Sequence, residues 1–109
     1  MATTQTTHSN LTVKIAANNQ GNPPGKLADA ELYFNDGVLA GLKLIGFAVW
    51  ERRAGAGRNV TFPARQYSVN GERRSFALLR PIADAIAHNA VRDLILDAYA
   101  DYEASIDRS

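Results

Sequence analysis

No cysteine occurs in the 109 residues, and histidine is limited to His8 and His88. Disulfides, thiolate metal centres and cysteine nucleophiles are excluded at once. No apolar run approaches the roughly 18 residues that cross a bilayer. The first ten residues are polar and threonine-rich, without the apolar stretch of a secretory signal. The expectation is a cytoplasmic protein that touches no membrane. The chain is also too short for a catalytic scaffold such as an α/β barrel of about 250 residues. Hydrophobic residues make up 46% and charged residues 21%, the balance of a globular domain rather than a disordered chain. A single domain this small is marginal alone, so self-association is expected.

Catalytic signals are equally scarce. Neither histidine has a carboxylate or a second histidine at metal-ligand spacing. His88 and Arg92 are i, i+4 neighbours on a helical pattern, which disfavours a metal on that face. The serines lack a nucleophile-elbow setting. Gly55-Ala56-Gly57 begins like a dinucleotide fingerprint, but Val60 stands where the third glycine belongs, and a strand pattern follows in place of a helix. The sequence assigns no catalytic residue, no metal, no cofactor and no small-molecule substrate. The expectation is a protein that is not an enzyme.

The charge that is present is unevenly placed. The net charge is +1. Residues 50–80 carry seven arginines and no lysine against Glu51 and Glu72, a balance of +5. Residues 81–109 carry six acids against Arg92 and Arg108, a balance of −4. Arginine suits bidentate phosphate contacts and stacking on bases. The alternative is a solvated surface whose arginines pair with the acidic tail.

Hydrophobic alternation marks strands at Leu11 to Ala17 and at Ala28 to Phe34. Asn35-Asp36-Gly37 reads as a hairpin turn into an apolar run, Val38 to Glu51, that Gly41 and Gly46 interrupt. Val60 to Val69 and Glu72 to Leu79 are strands joined at Asn70-Gly71. Asp84 can cap a helix that runs to about Glu103. On it Ile86, Ala90, Leu94, Ala98 and Tyr102 recur every four residues, with Val91 and Ile95 widening the stripe. Ile86, Leu94 and Tyr102 should face the sheet, and Asp93 and Asp101 should face away. The order predicts an α+β fold: a small antiparallel β-sheet of about five strands with one C-terminal helix packed on it. Residues 1–10 form a flexible leader and residues 11–105 the single domain.

A two-residue turn at Asn70-Gly71 fixes the hairpin register: Val69 with Glu72, Ser68 with Arg73, Tyr67 with Arg74, Gln66 with Ser75, Arg65 with Phe76. Arg65, Tyr67, Arg74 and Phe76 then share one face. Guanidiniums interleaved with flat rings are what a nucleic-acid-binding ribbon presents. The structural alternative makes Phe76 core and Tyr67 with Arg74 a cation–π pair.

Several short segments recur in the order of a known family. They are Ala30-Glu31-Leu32-Tyr33-Phe34-Asn35-Asp36, Leu42-Lys43-Leu44-Ile45, Val60-Thr61-Phe62-Pro63-Ala64-Arg65, and Arg80-Pro81-Ile82 leading into a helix that ends in tyrosines. Through them the stretch from Ala28 to about Tyr102 resembles the stage V sporulation protein G (SpoVG) family of small bacterial proteins. The resemblance implies a small sheet with a C-terminal helix, usually paired as a dimer. It also implies a non-enzymatic regulator that binds DNA or RNA, with basic residues after a Pro-Ser-like segment contributing. Arg65 matches the first such position and Gln66 departs from the second. The acid that often precedes the family's Pro-Ile is absent, and the basic residue early in its helix is replaced around Ala87 and His88. The expected binding residues here are Arg53, Arg58, Arg65, Tyr67, Arg73 and Arg74. The expected partners are DNA or RNA and a second copy of the chain. The rival reading is a protein–protein interaction or assembly module, in which strand edges and the acidic helix make the contacts.

Overall fold

The computed structural model describes residues 3–7, 10–18, 23–52 and 57–107. Five strands form one antiparallel meander in sequence order: β1 Thr3–Thr7, β2 Leu11–Ala17, β3 Lys26–Phe34, β4 Lys43–Glu51 and β5 Arg58–Thr61. A separate two-stranded ribbon, β6 Ala64–Val69 and β7 Glu72–Ala77, follows. The chain then enters one helix, α1 Ile86–Asp107. The fold is α+β, as the order of patterns predicts.

One sheet face carries the core. Val13, Ile15, Ala28, Ala30, Leu32, Phe47 and Val49 are buried there against Ile95, Ala98, Tyr99 and Tyr102 of α1. The alanines matter because a small side chain lets a helix approach the sheet backbone closely. The opposite face is polar, as expected of an antiparallel sheet open on one side. There the Tyr33 hydroxyl donates to Glu31 Oε1 at 3.0 Å, and the Trp50 indole donates to Thr61 Oγ1 at 2.8 Å.

Four expectations are corrected. Residues 3–7 do not form a flexible leader: Thr3–Thr7 pairs with β2, Thr3 opposite Ala16 and Thr7 opposite Thr12. Threonine is β-branched and suits a pleated edge strand, but an all-polar strand has no hydrophobic alternation to announce it. The strand after the Asp36-Gly37 turn starts at Lys43, not Val38. Residues 35–42 instead close a broad turn, with Gly41 N donating to Phe34 O and Phe34 N to Leu42 O. The run from Val60 to Val69 is divided at Phe62-Pro63 into β5 and β6, since proline has no N–H to extend the ladder. Finally, Ile86 does not face the sheet; it is 73% exposed. The buried stripe is Ile95, Ala98, Tyr99 and Tyr102; ahead of it Val91 packs at the edge of the core and His88 on Phe62. Asp84 caps the helix as its position suggests, its Oδ1 accepting from Ile86 N at 3.0 Å. Asp93 and Asp97 are exposed, a solvated face.

The ribbon projects from this body. Every residue of β6 and β7 is exposed except the half-buried Ala77. The molecule is accordingly elongated, 51 × 37 × 25 Å. Its radius of gyration, 15.1 Å, exceeds the roughly 13 Å of a compact chain this long.

Candidate nucleic-acid interface

Asn70 and Gly71 both have positive φ, 52° and 81°, the geometry of a type I′ turn whose twist matches the strands it joins. That turn sets the register, and all five expected pairs are observed, with Ala64 opposite Ala77 added. Alternation then sorts the side chains. Arg65, Tyr67, Val69, Glu72, Arg74 and Phe76 lie on one face; Gln66, Ser68, Arg73 and Ser75 lie on the other.

The base of the ribbon is clamped. Pro63 is buried, and Leu78 N donates to Pro63 O at 2.9 Å. Gly46 is the surface it rests on: a Cβ there would stand 2.9 Å from Pro63 Cβ, and its φ is +107°. Only glycine accommodates both. Phe62, next to Pro63, packs edge-on against Phe47 with ring centroids 5.1 Å apart. The ribbon is thus a projecting arm on a fixed root.

The ring face is open to solvent. Tyr67 is 41% and Phe76 40% exposed, and the two rings meet edge to face at 5.7 Å. Phe76 is therefore not core. The Tyr67–Arg74 cation–π pair is replaced by a contact within β7, where Arg74 Nη2 lies 3.2 Å from Glu72 Oε2. Both partners are well exposed, so the pair is weak and easily exchanged for a phosphate. Gln66, Arg73, Arg74 and Ser75 border a shallow polar notch of about 180 Å³ on the ribbon's flank.

The six expected residues do not form one surface. Arg65, Tyr67 and Arg74 share the ring face, and Arg73 points from the reverse face of the same arm. Arg53 lies outside the described residues. Arg58 sits apart, on β5, and is engaged internally. Its Nη2 is 2.8 Å from Glu103 Oε2, and its guanidinium carbon is 5.8 Å from the centre of the Tyr99 ring. Glu103 accordingly raises the Arg58 pKa above its ordinary value. Arg58 ties β5 to the helix rather than offering a cation to solvent.

One feature escaped the sequence reading. His88 stacks flat on Phe62, centroids 4.0 Å apart and planes 11° from parallel. Beside this stack Leu79, Arg80, Pro81, Ala87 and Val91 complete a largely apolar pocket of about 90 Å³. The available signal was the inward alternation of Val60 and Phe62, which carries Phe62 toward the start of the helix. Among the described residues, no group of three or more potential ligands could hold a metal ion. Among the same residues, no helix is long and apolar enough to cross a membrane.

Comparison of the chain with protein-family models, with curated proteins and with solved structures finds no match in any of the three. The resemblance to the SpoVG family rests on the short segments quoted above.

Proposed function

We propose that this protein is a small non-enzymatic regulator that binds DNA or RNA through the β6–β7 ribbon. The observation that carries the reading is the projecting arm itself, with Arg65, Tyr67, Arg74 and Phe76 on one open face and Arg73 on the other. A domain gains no core from such an arm, so its rings and guanidiniums are available to a partner. Guanidiniums take phosphates and exposed rings stack on bases. The SpoVG-like segments favour the same class of partner.

Electrophoretic shift with mixed DNA and RNA probes, at low and moderate salt, tests this. Binding should weaken steeply with salt as counterions are released. Replacing Arg65, Arg73 and Arg74 together with Ala should weaken binding on all probes alike and make the salt slope shallower by up to about three units. A folded triple variant that binds like the wild type removes the ribbon as the site. Absence of any shift by the wild type at low salt removes the reading. An assembly module without nucleic-acid binding is the second reading, favoured by the exposed Val38, Leu39, Leu42 and Ile45 at the β3–β4 end of the sheet.

A further inference from the structure

We infer that the pocket at the root of the arm is a binding site for a short branched-chain carboxylate, its chain against Phe62 and Val91 and its carboxylate on Arg80. The pocket forms where three parts of the chain meet. Phe62 precedes Pro63, on which the arm is rooted; Leu79 follows β7; Ala87, His88 and Val91 come from the first two turns of α1. A mostly apolar hollow with a few polar groups at its mouth is the ordinary form of a small-ligand site.

The inner wall is apolar and fixed. Phe62, Leu79 and Val91 are half-buried and pack against the core. Phe62 is held between the His88 ring, stacked at 4.0 Å, and the edge-on Phe47 ring at 5.1 Å, so it has little freedom to swing into the space. The outer wall is Arg80, Pro81 and Ala87, all exposed, and an occupant enters from that side with its apolar end first. The adjoining Ile82 is fully exposed, so the chain's own aliphatic at the mouth does not fill the pocket. Its volume, about 90 Å³, is well below the roughly 150 Å³ of a cavity that accepts benzene. A branched aliphatic chain suits that space better than a ring does.

Charge selects an anion. The salt bridges among the described residues all lie elsewhere and leave Arg80 out. The nearest acid along the chain, Asp84, spends Oδ1 on the helix cap at Ile86 N. A guanidinium takes a carboxylate through two parallel hydrogen bonds, and the His88 imidazole in the same wall can supply a further N–H. A neutral hydrocarbon would use the wall and leave Arg80 idle. Acetate would use Arg80 and leave the wall empty. A short branched chain ending in a carboxylate uses both. Arg65, Tyr67, Arg74 and Phe76 take no part, so this site stands or falls apart from the nucleic-acid surface.

Amide chemical-shift titration of the isotope-labelled protein with sodium isovalerate, at constant ionic strength and without nucleic acid, tests the site. Shifts should saturate, centre on Phe62 and residues 79–91, and give a Kd of about a millimolar, as befits so small a ligand. Isovaleramide, the same shape without the charge, and acetate, the charge without the chain, should each bind about tenfold more weakly or worse. Arg80→Gln should weaken isovalerate by about tenfold and leave isovaleramide unchanged, a split that loss of packing alone does not produce. Ala87→Leu puts a good helix former at an exposed helix position and fills the pocket. It should abolish isovalerate binding with an unchanged circular dichroism spectrum. Absence of saturable shifts at tens of millimolar overturns the proposal. So does isovaleramide binding as tightly as isovalerate, a folded Ala87→Leu variant that binds like the wild type, or a set of shifts centred on Arg65 to Phe76.

Discussion

Single residues in this protein act through the few places where space or charge leaves no alternative. Gly46 is one. Its φ of +107° is strained for any residue with a Cβ, and that Cβ would meet Pro63 at 2.9 Å. A left-handed backbone costs a non-glycine residue roughly 1–2 kcal/mol before any clash. Gly46→Ala should therefore lower stability by about 2 kcal/mol or more, seen as an earlier urea midpoint. Tyr99 is another. Burial, then the negative charge of Glu103, push its hydroxyl pKa above the usual 10.0, against the pull of Arg58. The folded state holds this proton more tightly than the unfolded chain does. The stabilisation is intact below pH 10 and is lost as pH rises from there through the raised folded value. Tyr99→Phe should flatten that alkaline decline, read from urea midpoints across a pH series.

At the scale of elements, legibility follows how local the determining physics is. The ribbon was readable to the residue pair, because a two-residue turn at Asn70-Gly71 permits one register. β2 and β3 were readable because Val13, Ile15, Ala28, Ala30 and Leu32 alternate with polar residues. β1 was not, because the sequence Thr3–Thr7 has no apolar alternation to announce it. The helix and its cap are legible, but the apolar stripe misplaces its first turn, where Ile86 is exposed. A 3.6-residue stripe gives the angle of the apolar face, whereas how far the sheet extends beneath it is a tertiary fact. The Arg58–Glu103 bridge spans 45 residues and has no local signature. Without it Arg58 looks like any other arginine of the basic middle. The corrected helix face makes a contrast to measure. Ile95 is fully buried and Ile86 is 73% exposed. Ile95→Ala should cost about 2–5 kcal/mol, and Ile86→Ala should stay within about 0.5 kcal/mol. Thermal melts of the pair decide whether the stripe has been placed correctly.

The whole molecule divides its labour between a body that folds and an arm that the body holds out. Core residues come from β2 to β5 and α1, and none comes from β6 or β7. The arm's stability comes from its own cross-strand pairs and its I′ turn, while the clamp at Pro63 fixes where it stands. The two ends of the arm are already hydrogen-bonded neighbours, Leu78 N to Pro63 O at 2.9 Å. Residues 64–77 can therefore be excised and Pro63 joined to Leu78 through a short Gly-Ser turn without moving either end. A loop closes at small entropic cost when its ends already meet. The shortened chain should keep its helix content and a single cooperative melt, because no buried side chain is removed. It should also lose binding to every nucleic-acid probe, since Arg65, Tyr67, Arg73, Arg74 and Phe76 leave together. The two readouts separate the possibilities. Loss of the cooperative melt would make the ribbon part of the folding unit and not an appendage. A folded, shortened chain that still shifts the probes would move the interface elsewhere, to the polar open face of the sheet where Lys14, Lys43 and Trp50 stand.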